Sequence, residues 1–367
     1  MKATFQREGL LAAFQLASAA VSAREIKPIL RNLKMAAVDD RCTLMATDLE
    51  LGIRLEVRGI KVETAGEAIL PTNRMISILR ESTDEEMQLE ANTDRCELRG
   101  QTNEFEMPSE DPANFPDVPA FTEEKYHEIT AGVLREMIRR TIFAAATENP
   151  RYKVTGTLWE LEITSAKLVA TDGRRLAVAQ GTATAQGGHT TKGQTPVVPT
   201  KAMGLLERNL ADPNETIRIC LRANDALFKT ERAVISSQLV EGRYPAYQEV
   251  FPKKQTVKIP LIVGPFQTAI RQSAIMTDEE SKKVVFSFAK KKLTLKAQGS
   301  ETGRAKVELP VDYDGKGLDI SFDPRFLTEM LRVLEPDAAL TLELVDSASP
   351  ALFRQGDNYS YVVMPLS

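Results

Sequence analysis

The chain has 367 residues and is 43% hydrophobic, enough apolar material for two or three ordinary cores. Two histidines and three scattered cysteines, Cys42, Cys96 and Cys220, supply neither a paired zinc-ligand spacing nor a histidine-based triad, so reduced buried thiols are expected and no metal or cofactor. No apolar run approaches the roughly 20 residues of a membrane span, and Met1-Lys2-Ala3-Thr4-Phe5 lacks the parts of a secretion signal, so a cytoplasmic protein is expected.

In chain order, Leu10, Leu11, Phe14, Ala17 and Val21 recur at three- and four-residue spacing and predict a helix over 6–22. Asn32-Leu33-Lys34-Met35-Ala36-Ala37-Val38, a turn, and Leu44-Met45-Ala46-Thr47-Asp48 read as paired strands. Ile69-Leu70-Pro71-Thr72 leads into a second helix over 72–82, with Thr72 as its cap. Periodicity then lapses from Ser109 to Glu128.

After that gap the same passage returns. Val133, Leu134, Met137, Ile138 and Ile142 predict a helix over 132–147, and Thr157-Leu158-Trp159-Glu160-Leu161-Glu162-Ile163 with Leu168-Val169-Ala170-Thr171-Asp172 repeats the strand pair. Gly181 to Pro196, rich in Gly and Thr, reads as a mobile loop. Val197-Val198-Pro199-Thr200 introduces a helix over 200–210, capped by Thr200. A degenerate third copy follows a second lapse from Leu239 to Pro260. It comprises a helix over 265–277, the strands Val285-Phe286-Ser287-Phe288 and Leu293-Thr294-Leu295-Lys296-Ala297-Gln298-Gly299, and a helix over 324–334 with Asp323 as cap and Pro324 at its first turn. The fold class is α+β: three tandem domains, 1–124, 125–256 and 257–367, each with two helices packed on antiparallel sheet.

The charge is unevenly distributed. Five of the six predicted helices carry net positive charge while the rest of the chain is acidic, the pattern of a surface that meets phosphates in a protein kept soluble by acids elsewhere. Arg74, Arg80, Arg135, Arg139, Arg140 and Lys201 are the helical cations, with Arg135 and Arg139 on one face. No aromatic stacking platform accompanies them, so the contact would be with the nucleic-acid backbone and independent of sequence. The plainer reading of any one helix is a solvated face.

Ala170-Thr171-Asp172-Gly173-Arg174-Arg175-Leu176-Ala177-Val178, Glu241-Gly242-Arg243-Tyr244-Pro245 and Tyr361-Val362-Val363-Met364-Pro365-Leu366, set in a threefold repeat, resemble the bacterial DNA sliding clamp family, the beta subunit of the replicative polymerase, from end to end. The resemblance implies a head-to-tail homodimer closing a six-domain ring on double-stranded DNA, with clamp loader, polymerase and other proteins as partners. It also implies a groove for a short peptide with leucine and phenylalanine anchors, formed by Val154, Thr171, Gly173, Arg175, Leu176, Pro245, Val250, Val362, Met364, Pro365 and Leu366. Apolar side chains with an adaptable methionine suit such a ligand, and Arg175 would hold a polar group of it. Without the resemblance, Met364-Pro365-Leu366 reads as a docked terminal strand. Arg174, Glu249 and Ser281 depart from the residue types frequent in the family and bear on ligand preference. On the same comparison Arg24, Tyr152 and Lys153 fall at loop positions that approach DNA, and Phe105 and Met107 of one protomer meet Ile275 and Met276 of the other, as exposed apolar residues near opposite ends of the chain; the plainer reading of these four is ordinary core at the ends of elements.

Two rival classes set the contrast. A metal-dependent nuclease or phosphotransferase would use Asp48 and Asp172 as paired carboxylates, but both follow a strand at a turn, where Asp caps the chain, and the third copy has Gly299 there. A monomeric peptide-binding scaffold would keep the groove and lack the ring.

Overall fold

The structure, a computed structural model, describes residues 1–21, 27–39, 41–146, 155–252, 257–278, 282–299 and 302–366. All six expected helices form: α1 Arg7–Ala17, α2 Thr72–Glu81, α3 Ala131–Thr141, α4 Thr200–Asn209, α5 Val263–Ala274 and α6 Pro324–Arg332. They are shorter than apolar spacing suggests, because α1 and α3 tighten into 3-10 turns at Ser18–Ala20 and Ile142–Ala144 and the chain is extended again at Val21. The cap assignments divide. Asp323 accepts from the Arg325 amide as expected. Thr72 and Thr200 do not cap: each is already the first helical residue, Pro71 occupies the cap position of α2, and both hydroxyls are buried without a hydrogen-bond partner among the described residues.

The chain packs as two units. The first comprises Met1–Gly132, Ala183–Thr190 and Lys201–Leu239. Within it, a five-stranded sheet runs in the order Ile60–Thr64, Lys2–Gln6, Glu86–Ala91, Arg95–Arg99, Glu104–Pro108. A nine-stranded sheet joins strands of the second copy to strands of the first, Ala233–Gln238 lying antiparallel to Leu51–Val57 with Ile235 facing Ile53. The second unit comprises Val133–Thr182, Thr191–Thr200 and Val240–Ser367. Here an eight-stranded sheet joins the third copy to the second, Tyr359–Val363 lying antiparallel to Arg175–Thr182 with Tyr361 facing Ala177. A four-stranded sheet has the order Gly303–Pro310, Lys292–Gly299, Val284–Ala289, Leu318–Phe322. The middle copy thus contributes strands to both units.

Alternation of buried and exposed residues along the strands places the cores. In the second unit Phe266, Phe286, Phe322 and Phe353 are buried together, with ring centroids 5.3 Å apart for Phe286–Phe322 and 6.2 Å for Phe266–Phe286 and Phe266–Phe353. The stretch from Gly181 to Pro196 is not simply a loop. Thr184–Gln186 is a strand paired with Tyr126–Thr130, His189 places Nδ1 2.8 Å from Nδ1 of the buried His127, and the Thr191 hydroxyl accepts from the Leu161 amide at 2.8 Å. Gly and Thr permit these tight turns, and composition alone did not reveal the anchors. All three cysteines are free and buried, and burial pushes the Cys42 thiol up to about 12 and Cys96 and Cys220 up to about 11, so none is a ready thiolate. Among the described residues no helix is long and apolar enough to cross a membrane.

Candidate functional site: an apolar groove

The groove begins with a turn. Asp172 Oδ1 accepts from the amides of Arg174 and Arg175 at 2.9 and 3.1 Å, the Thr171 hydroxyl donates to the Arg175 carbonyl at 2.6 Å, and Gly173 takes φ +86°, which a side chain resists. This turn starts the strand Arg175–Thr182, which the C-terminal strand joins. The ladder continues past Val363 because the Met364 amide donates to the Arg174 carbonyl at 2.9 Å. Leu176 and Val362, facing each other across that joint, therefore lie side by side.

Together with Leu158, Val169, Val197, Leu352, Tyr244 and Tyr247 they form one buried apolar cluster. Above it opens a cavity of about 640 Å³ lined by Thr171, Gly173, Arg175, Leu176, Pro245, Val250, Val362 and Met364, all expected from the sequence. The volume suits a few large side chains of an extended ligand. Val250 and Met364 are exposed at the mouth, so apolar surface is presented to solvent over an apolar floor. The tyrosines are fixed walls: the Tyr244 hydroxyl donates to the Val169 carbonyl at 3.0 Å and the Tyr247 hydroxyl to Glu160 Oε2 at 2.9 Å, and burial raises both phenols above their ordinary value.

Several lining residues were not expected: Tyr244, Tyr247, Phe251, Pro252, Val345, Ser349 and Pro350. Tyr244 and Pro245 sit in one recognisable string, but Val345 to Pro350 precede a strand of the third copy and carried no local signal.

Three expectations change. Arg175 is engaged within its own chain, since its Nε donates to Asp172 at 3.0 Å, Nη1 to Glu329 and Nη2 to the Phe143 carbonyl at 2.8 Å. Its guanidinium lies 4.7 Å from the Phe326 ring centroid and 5.6 Å from that of Phe143. Burial opposes its charge, but Tyr361, Glu329 and Asp172 outweigh it and hold its pKa above the usual guanidinium value. The charged groups exposed at the groove are instead Arg174 and Glu249. Pro365 and Leu366 do not line the cavity, because the Leu366 amide donates to the Ser321 carbonyl at 2.8 Å and turns the terminus away. Val154 and Ser281 lie outside the described residues.

Of the expected DNA-facing groups, Arg74, Arg80 and Arg139 are exposed and Arg135 is half-buried. Lys201 is exposed and pairs with Asp48. Arg140 is withdrawn from the surface: its side chain is 15% exposed, pairs with Glu136 at 2.6 Å and lies 5.3 Å from the Tyr359 ring centroid. Counting charge along α3 hid this, because the partner ring comes from the far end of the chain. Arg24, Tyr152 and Lys153 lie outside the described residues.

At the expected interface, Ile275 is 69% exposed, while Phe105 and Met276 are half-buried. Met107 is 4% exposed and belongs to the core of its own unit, since it faces inward opposite Cys96. Asp48 and Asp172, the carboxylates of the nuclease reading, are spent as turn caps. Asp48 Oδ1 accepts from the amides of Glu50 and Leu51 at 3.1 and 2.7 Å. No group of metal-ligating side chains occurs among the described residues.

Three family descriptions cover the chain in order: the N-terminal domain of the DNA polymerase III beta subunit matches residues 1–119, its central domain 128–246 and its C-terminal domain 248–367. Curated relatives include a beta sliding clamp from Pseudomonas putida, 29% identical over the full length of both chains, and one from Escherichia coli K12, 28% identical over the full length of both. Among solved structures, a sliding clamp from Pseudomonas aeruginosa bound to griselimycin superposes with TM-score 0.92 at 27% identity, covering 100% of this chain and 99% of that one. A clamp from Bacillus subtilis shares the fold with TM-score 0.92 at 24% identity, covering 100% and 99%.

Proposed function

The chain belongs to the DNA polymerase III beta subunit family, and on that premise we propose how its surfaces divide the work. It is a beta sliding clamp, which encircles duplex DNA without reading its sequence, tethers the replicative polymerase and other replication and repair proteins, and catalyses nothing itself. Repetition serves this physically. A ring of six like domains has no preferred rotational position on the duplex, so it slides while its cargo stays attached.

The partner site is the groove over Leu176 and Val362, and the observation that carries this is the cavity of about 640 Å³ on an apolar floor, open at Val250 and Met364. An extended peptide buries leucine- and phenylalanine-type anchors there, and Arg174 and Glu249 meet its polar groups. Arg74, Arg80, Arg135, Arg139 and Lys201 serve the DNA contact, with Arg140 withdrawn to structural duty. The protomers join through the edge strands Glu104–Pro108 and Gly303–Pro310, with Phe105 of one copy against Ile275 and Met276 of the other. Sedimentation tests the ring against a monomeric scaffold. The expected mass is twice 40.6 kDa, and a species of 40.6 kDa at every concentration would favour the scaffold.

A further inference from the structure

Three charged side chains line the groove, and only one of them is spent. Arg175 is committed to Asp172, Glu329 and the Phe143 carbonyl. Arg174 and Glu249 are exposed and make no side-chain hydrogen bond or ion pair among the described residues. Nearby charges are already engaged: Asp172 by Arg175, Glu160 by Lys167 and the Tyr247 hydroxyl, and Asp346 by the amides of Ala348 and Ser349.

Although these two side chains are free, their backbones are not. The Arg174 amide donates to Asp172 Oδ1 at 2.9 Å and its carbonyl accepts from the Met364 amide at 2.9 Å, so the guanidinium belongs to the wall that carries Met364. The Glu249 amide donates to the Ala246 carbonyl at 3.1 Å at the 3-10 turn Tyr247–Val250, so the carboxylate belongs to the wall that carries Val250. Met364 and Val250 are the apolar residues exposed at the mouth. The rim therefore sets one cation beside the first and one anion beside the second, above an apolar floor. A ligand that covers the rim strips water from both charges. Left unmet, that desolvation costs affinity; met by opposite charges it is offset, and the pairing is stronger against an apolar floor than in open water.

We propose that the groove has an electrical direction: it selects an extended peptide that carries an acidic residue on the Arg174 side of its apolar anchors and a basic residue on the Glu249 side. This rests on the reading of the groove as the partner site and adds to it the order of charges a partner must bring. Leucine and phenylalanine anchors differ in shape, so they hold the peptide in one direction along the slot. A peptide without flanking charges seats its anchors and leaves both rim groups unpaired. One of reversed order sets like charges together on both walls. Arg174 and Glu249 thus decide between ligands, while the anchors supply most of the affinity.

The experiment exchanges the two charges, Arg174→Glu with Glu249→Arg, which reverses the rim and leaves the net charge of the chain as it was. Fluorescence anisotropy at low salt compares three labelled peptides with the same leucine and phenylalanine anchors: lysine before and aspartate after them, aspartate before and lysine after, and serine at both places. The unaltered protein should bind one charged order at least about threefold more tightly than the other, and the exchanged variant should reverse that ranking. Both proteins should bind the serine-flanked peptide equally, which also shows that the variant is folded. Added salt should shrink the preference, because both groups are exposed. A ranking that is absent, or that does not reverse, while the serine peptide still binds would overturn the electrical direction and leave the groove standing as the partner site. Loss of the serine peptide in the exchanged variant alone would make Arg174 and Glu249 parts of the wall and overturn the proposal as well. If no peptide binds the unaltered protein, the groove reading fails first and the direction with it.

Discussion

Deleting Met364 to Ser367 weakens binding of an extended peptide with leucine and phenylalanine anchors by at least about tenfold and leaves a folded dimer. Met364 is 41% exposed at the rim and forms one wall above Leu176 and Val362, so the deletion opens the slot to water. Each buried anchor contact of hot-spot type is worth about 2 kcal/mol, so affinity falls at least about tenfold. The fold loses little. The removed backbone bonds, Met364 to Arg174 and Leu366 to Ser321, are worth about 1 kcal/mol each, whereas Val362 and Tyr361 stay in the joint. Polymerase stimulation falls together with peptide binding. Fluorescence anisotropy with a labelled polymerase tail peptide, beside sedimentation of the same sample, reads both effects, and unchanged affinity in the truncated dimer would make the terminus merely structural.

An Ile275→Ala, Met276→Ala variant sediments as monomer at concentrations where the unaltered chain is a dimer. The internal joint of the second unit supplies the reason. Its Phe143, at the end of α3, packs 5.9 Å from the Tyr361 ring. The Gly132 and Gly264 amides start α3 and α5 with the same hydrogen bond, to the carbonyls of Pro213 and Pro336 at 2.9 and 2.7 Å. Counted from these glycines, Ile275 stands where Phe143 does, and Phe105 stands where Tyr361 does. Ile275 is 69% exposed in the protomer, so its removal costs that fold almost nothing. A buried aliphatic side chain in a well-packed joint is worth roughly 2–5 kcal/mol, a loss of at least about thirtyfold in dimer affinity. Met276, already half-buried, adds less. Thermal melting at saturating concentration verifies the fold, and an unchanged dimer constant would show that the joint lies elsewhere. Met107→Ala serves as the contrast: it should lower protomer stability, because Met107 is core.

The threefold repeat was legible because each copy keeps its strand pair and both helix stripes, and the groove was legible where strings such as Thr171 to Leu176 and Tyr361 to Met364 survive. What sequence left out is tertiary. Arg175 and Arg140 read as surface cations because their partners, Glu329 with Phe326 and Tyr359, lie far along the chain. Thr72 and Thr200 looked like caps because a Pro-Thr pair before an apolar stripe fits either a cap or a first helical turn, and only backbone geometry decides. Met107 read equally as an interface residue or as ordinary core, because its alternation with Glu106 does not say what covers the apolar face.

The central claim is topological, and one retention measurement addresses it. Clamp loader and ATP place the labelled protein on nicked circular DNA, free protein is removed by gel filtration, and half the sample is linearised with a restriction enzyme. A ring that touches DNA only through exposed cations and reads no base should remain on the circles and slide off the linear molecules. Equal retention on circular and linear DNA would contradict the account, because it would mean that the protein holds DNA by affinity and does not encircle it.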